Sequence, residues 1–274
     1  MKRKQYGKCA LCGKECELTF EHIPPRAAFN SHSARPVSGD KIVRDNDRMP
    51  WDMSGLPYEN QQRGMGRYSL CPECNNNTGT WYGDAYAYFT HVAHEIVQNS
   101  DHTDHNGVRI NKIYPLRIVK QVISMFCSIN NFNGGLSNTL RQFVLDRNKT
   151  GLDPSKYRLC MYFTKGNLMK YIPLSAVLST QDNKITHHLV SEITAYPLGF
   201  VLYFDPPEIL KNSLIDITSL SNCPYDSIID LEMPLIIKEV NDLFPTFYRS
   251  KEDIAQCVDD NKKWIKEHEK LDGV

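Results

Sequence analysis

The chain has 274 residues, enough for one large domain or two ordinary ones, and its 41% hydrophobic content supports a sizeable core. Thirty-two Lys and Arg balance thirty-two Asp and Glu, so no whole-chain field steers it toward nucleic acid or membrane. The N-terminus lacks the apolar run of a signal peptide and no stretch of about 18 apolar residues exists to span a bilayer, so a soluble, cytoplasmic protein is expected.

In chain order, residues 6–20 read as a cysteine knuckle, Cys9-Ala10-Leu11-Cys12, followed by a short strand ending in Leu18-Thr19-Phe20. Glu21-His22 stands at the end of that strand. Pro24-Pro25 then stops any regular element, because neither proline has an amide hydrogen and each restricts its predecessor. From 30 to 67 the composition turns polar, rich in Gly, Pro, Asp, Asn and Ser, and predicts a long surface loop. The segment 67–70 leads into a second knuckle, Cys71-Pro72-Glu73-Cys74. A helix is expected after Cys74, with its start capped within 75–79 and its end near Gln98-Asn99-Ser100. Trp81, Ala85, Tyr88, Phe89, Val92, Ile96 and Val97 recur at helical spacing and predict its buried face. The polar stretch 101–107 reads as a linker and a domain boundary, dividing the chain into 1–107 and 108–274.

Beyond it, 114–130 predicts a strongly apolar helix, and Ser137 caps another running to about Asn148. The period then changes. Strands are predicted over 157–163, 168–178, 185–195, 198–204 and 227–237, and a charged helix closes the chain from Lys251. The run 198–204 is apolar without alternation, as in a strand covered on both faces. The fold class is α+β, with a mainly antiparallel sheet in the second half.

Four of the nine cysteines fall in two C-x-x-C pairs, and the other five are scattered, unlike a secreted disulfide framework. Each C-x-x-C turn supplies two sulfurs at the right bite, so Cys9, Cys12, Cys71 and Cys74 predict one structural zinc. A site with four protein ligands has no open position and contributes folding energy rather than catalysis. Cys16 lies close enough to compete.

A knuckle and strand, an acid-His pair, a loop, a second knuckle and a helix make a ββα-metal unit. In Cys9-x-x-Cys12, Glu21-His22-Ile23-x-Pro25 and Leu70-Cys71-x-x-Cys74-Asn75 the sequence resembles the HNH endonuclease superfamily in its zinc-stapled treble-clef form. The resemblance covers residues 6–99. It implies His22 as the general base, with Glu21 and Asn75 holding a catalytic Mg²⁺ or Mn²⁺. It further implies that the helix N-terminus at Asn75 offers free amides to a phosphate, and that the substrate is DNA. A phage, mobile-element or antiphage-defence setting goes with it. The position after Cys74 is commonly His and here is Asn75. The asparagine in the middle of the family motif has no obvious counterpart, and Asn60 and Asn46 are both candidates.

Arg26, just past the prolines, can grip a phosphate or make a surface ion pair. His91 and His94 form an H-x-x-H pair on the first long helix, where facing solvent or satisfying a neighbour is the expected role. Residues from 108 onward carry no motif tied to a reaction, and substrate positioning, a protein partner or signal sensing all suit them. The alternative for the whole chain is a zinc-stabilised nucleic-acid or protein binding module that cuts nothing.

Overall fold

The first knuckle is the turn of a hairpin. β1 (Gln5–Lys8) pairs antiparallel with β2 (Glu15–His22), Lys8 opposite Glu15. The turn closes through the Cys9 amide, which donates to the Lys14 carbonyl at 2.9 Å. This geometry comes from a computed structural model that describes residues 4–43, 48–100, 107–131, 136–181, 184–206 and 214–269. The loop predicted over 30–67 is largely irregular; its described residues include a five-residue helix, α1 (Gly39–Val43), and an isolated bridge between Ala34 and Gln61. β3 (Gly66–Leu70) then returns along β2 and completes a three-stranded antiparallel sheet, with Gly66 opposite His22 and Arg67 opposite Glu21. A Cβ on Gly66 would run into the Glu21 carbonyl and the Phe20 ring, so only glycine lets the strands close here.

The second knuckle opens α2 (Pro72–Thr78). The helix therefore starts before Cys74, not after it. Cys71 is the N-cap and its Sγ accepts from the Cys74 amide at 3.4 Å. Pro72 fits the first turn because an amide there has no helical partner anyway. A π-helical turn, Gly79–Gly83, joins α2 to α3 (Asp84–Asn99), which ends where the sequence predicts. The buried face of α3 is partly different from the predicted one. Tyr82 and Tyr86 are buried, whereas Tyr88 is 45% exposed and donates its hydroxyl to the Asn111 carbonyl at 3.0 Å. Aromatic spacing alone offers two adjacent stripes, and small Ala85 and Ala93 let the Tyr82–Phe89 stripe approach the core.

β4 (Val108–Ile113) leads into α4 (Pro115–Ile129). Every residue of α4 but Arg117 is buried, as expected of a helix packed on all sides. α5 (Asn138–Leu145) follows, its Leu140 amide donating to the Ser137 hydroxyl as predicted. β5 (Tyr157–Thr164), β6 (Lys170–Gln181), β7 (Lys184–Ala195) and β8 (Leu198–Phe204) form the main sheet, in spatial order β5-β8-β7-β6 and antiparallel throughout. β9 (Ile215–Asp216) adds to β5. The single strand predicted over 227–237 is two strands, β10 (Ile229–Met233) and β11 (Ile237–Lys238). Pro234 has no amide hydrogen to carry the ladder across. β10 pairs with β4 in a ribbon, while β11 joins the main sheet parallel to β5. α6 (Lys251–Glu269) closes the described chain, and no described helix is long and apolar enough to cross a membrane.

One apolar cluster runs from Leu11 and Leu70 beside the cysteines, through Tyr82 and Phe89, to Phe126, Phe163 and Phe200. The cysteine-bearing region and the main sheet thus share a core, with α4 between them. The expected linker over 101–107 lies, apart from Gly107, outside the described residues. Strand β8 is covered on both sides. Phe200 and Leu202 enter the main core, while Val201 and Tyr203 enter a second cluster under Tyr248.

Candidate metal centre and acid-histidine site

The four knuckle cysteines converge. Their sulfurs all lie within 4.8 Å of one another, and those of Cys12 and Cys71 are 3.9 Å apart. Sulfurs placed about 2.3 Å from a tetrahedral zinc stand about 3.8 Å from each other, so the four can hold a zinc ion. The Cys71 amide donates to Cys9 Sγ at 3.3 Å, which favours thiolate over thiol. Cys9 is held down to about 4, chiefly by the Cys74 thiol donating to it, against the opposing effect of burial. Cys16 stays outside the group, its thiol directed at the Lys14 carbonyl 3.5 Å away.

β2 carries the acid and the histidine on opposite faces, since neighbouring residues of a strand alternate. Phe20 and His22 share one face, their rings edge to face at 5.1 Å. His22 Nε2 lies 3.0 Å from the Arg63 carbonyl. A carbonyl only accepts, so Nε2 carries the ring proton and the neutral imidazole presents its lone pair at Nδ1.

Glu21, on the other face, is only 7% exposed. Its carboxylate has no hydrogen bond or ion pair among the described residues, and burial pushes it up to about 8. A buried acid without a partner is costly, because desolvation disfavours the charged form with nothing to offset it. Asn75 reaches β2 from α2. Its side-chain amide donates to Thr19 Oγ1 at 2.9 Å and to the Phe20 carbonyl at 3.4 Å, which turns both amide hydrogens toward the strand. Its Oδ1 accepts nothing from the described residues. The expected free amide at Asn75 is absent. Because the helix starts at Pro72, the Asn75 N–H is already bound to the Cys71 carbonyl at 3.0 Å.

Asn30, which the sequence did not single out, ties the turn after Pro24 to the entry of β3. It is buried, and donates to the Pro24 carbonyl at 2.7 Å and the Met65 carbonyl at 2.8 Å. Its Oδ1 accepts from the Met65 amide at 2.7 Å. The three bonds tie the Pro24 turn to the strand entry that carries Arg63. Gly64 makes the approach possible. It has φ +100°, and a Cβ there would strike the Asn30 backbone carbonyl. Asn60 is exposed, and Asn46 lies outside the described residues. No periodic signal marks Asn30. Only its position six residues after the first proline, facing a glycine 34 residues on, gives it its role.

Arg26 is exposed on the same turn and has no partner among the described residues. The histidines of the H-x-x-H pair diverge to different partners. His91 Nε2 lies 2.9 Å from the Ala27 carbonyl and His94 Nδ1 lies 2.7 Å from the Tyr196 hydroxyl. Phe29 packs on both rings, at 4.6 and 4.8 Å, so the pair clamps the turn against α3 and the β7–β8 hairpin. Among the described residues the four cysteines form the one group of three or more His, Cys, Asp or Glu placed for a metal ion. Compared with known protein families, curated proteins and solved structures, the chain matches none.

Proposed function

We propose that the protein is an HNH-type endonuclease that hydrolyses phosphodiester bonds in DNA, with the cysteine-bearing region as a zinc-stapled treble-clef unit. The observation that carries this reading is the buried Glu21 carboxylate, without a partner among the described residues, on the face of β2 opposite a histidine whose Nδ1 has no hydrogen bond among the described residues. Glu192, the other deeply buried glutamate among the described residues, is hydrogen-bonded and ion-paired by contrast. An acid buried alone fits a cation that completes it. Glu21 and the free Oδ1 of Asn75 are hard oxygen donors of the kind Mg²⁺ and Mn²⁺ prefer. Bound there, the ion would supply positive charge for the phosphate and the leaving oxygen.

The chain's own groups do the rest. Arg63 orients the His22 ring through Nε2, so that Nδ1 takes a proton from water. That water oxygen bonds to phosphorus as the bond to the leaving sugar oxygen breaks, and the sugar oxygen takes a proton from solvent. Asn30 keeps Arg63 in place by fixing the Met65 backbone. Arg26, exposed on the turn beside the site, offers a phosphate contact. The four cysteines hold β1, β2 and α2 in the register that brings Asn75 to β2.

Plasmid DNA incubated with Mg²⁺ or Mn²⁺ tests this. Wild type should cut, and His22→Ala should cut roughly 10²–10⁴-fold more slowly, the usual worth of a positioned base. The variant should keep its zinc and its melting temperature, because His22 touches neither the cysteines nor the core. Equal cutting by His22→Ala would remove the assignment. Absence of cutting by wild type with either ion would favour a binding module.

A further inference from the structure

A cleft of 1390 Å³ lies along β3, between the loop residues 28–42 and 53–65 on one side and the start of β6 on the other. It exceeds the roughly 300–1,000 Å³ of small-molecule sites. Gly66 and Arg67, which pair directly with His22 and Glu21, form part of its wall, so it lies beside the strand that carries the acid and the histidine. Its charge is one-sided. Arg35, Lys41 and Arg67 line it without an ion-pair partner among the described residues, against the single acid Glu59. Lys170 also lines it, but is neutralised by Glu192 at 3.2 Å. Aromatic faces alternate with these cations. Tyr58, 49% exposed, carries the Arg35 guanidinium over its ring at 5.1 Å, and Tyr68 and Tyr196 line the same space.

We infer that this cleft binds a single strand of DNA leading into or out of the cutting site. Cations spaced along a groove track a phosphate backbone, and exposed aromatic faces stack bases that are free of their complement. A paired duplex presents no free base faces to stack on them. This rests on the proposed nuclease reading for where the strand leads, but not for the binding itself.

Fluorescence anisotropy on the full chain, without added divalent cation, reads the inference separately from cutting. The probes are a labelled 12-nucleotide single strand and the duplex of the same sequence. The single strand should bind at least about tenfold more tightly. Arg35→Ala with Lys41→Ala should weaken it about tenfold and flatten the slope of log affinity against log salt by about 1.4, two phosphate contacts' worth. Tyr58→Ala should weaken it roughly five- to hundredfold at unchanged salt slope, as loss of a stacked base does. All three side chains are exposed, and circular dichroism checks that the fold survives. Duplex bound as tightly as the single strand, or folded variants that bind like wild type, would overturn the inference. Cutting without strand preference would sink the cleft alone, and strand binding without cutting would sink the nuclease reading alone.

Discussion

Among the described residues two glutamates are buried, one in each half, and they live under opposite conditions. Glu192, on β7, is fully buried. Its carboxylate receives Lys170 at 3.2 Å, the hydroxyls of Tyr162 at 2.7 Å and Tyr248 at 3.1 Å, and the Thr246 amide at 2.9 Å. It fastens the segment before α6 to the main sheet. Glu21, on β2, is nearly as buried and receives nothing from the described residues. The large sheet has enough apolar surface to bury a charge and enough partners to satisfy it. The small three-stranded sheet shares a core with it through Leu18 and Leu70 but leaves its acid unpaired among the described residues. An acid buried for architecture is surrounded; an acid buried alone points to a partner from outside the chain.

The largest test strikes the staple of the smaller region. Gathering four thiolates on zinc contributes on the order of 10 kcal/mol in small modules. Cys71→Ser should therefore unfold the cysteine-bearing region and, because that region shares the main core, leave most of the protein insoluble. Elemental analysis should find about one zinc per wild-type chain. A folded, soluble wild-type sample without zinc would show that the staple is dispensable.

Next comes the contrast between the acids themselves. Lys170→Met leaves Glu192 charged and buried without its cation and should cost about 3–5 kcal/mol in urea unfolding. Glu21→Gln, in buffer free of divalent ions, should change stability by less than about 1 kcal/mol or raise it, because it removes a buried acid that burial already holds largely protonated at neutral pH. Mg²⁺ or Mn²⁺ should raise the melting temperature of wild type and leave that of Glu21→Gln unmoved. Equal losses for the two variants would erase the distinction.

The smallest effect lies at the core that joins the regions. Lys120 on α4 is fully buried and donates to the Phe143 and Asp146 carbonyls at the end of α5. Burial pushes it down to about 7, against the opposing pull of Asp146. Its unfolded value stays near 10.5, so between about pH 7 and 10.5 the unfolded chain holds a proton that the folded chain has lost. Stability should then rise with pH across that window, by up to about 1.4 kcal/mol per pH unit, and the cost of burial is fully present below 7. The neutral amine keeps two hydrogens for its two carbonyls. Urea unfolding at pH 7 and 9 measures the rise, which Lys120→Met should abolish.

Sequence alone determined whatever is local. The C-x-x-C bite picks out the four cysteines because each pair is set by one turn of chain. β8 is legible because an unbroken apolar run needs cover on both faces, and the C-terminal end of α3 and the cap of α5 because such boundaries use neighbouring residues. The end of the strand at Glu21-His22 is legible for the same reason, since prolines follow directly. What the tertiary structure decided lies between residues far apart. Asn30 means little until Met65 returns beside it, His94 until Tyr196 reaches it, and Glu192 until Thr246 and Tyr248 close over it. Pro72 reads as a knuckle residue until Cys71 is seen to cap the helix, and 227–237 reads as one strand until Pro234 hands its halves to different sheets. Hydrophobic periodicity records which face of an element is buried; which polar groups meet there is set by the packing of distant segments, where each must find a partner or stay, like Glu21, without one.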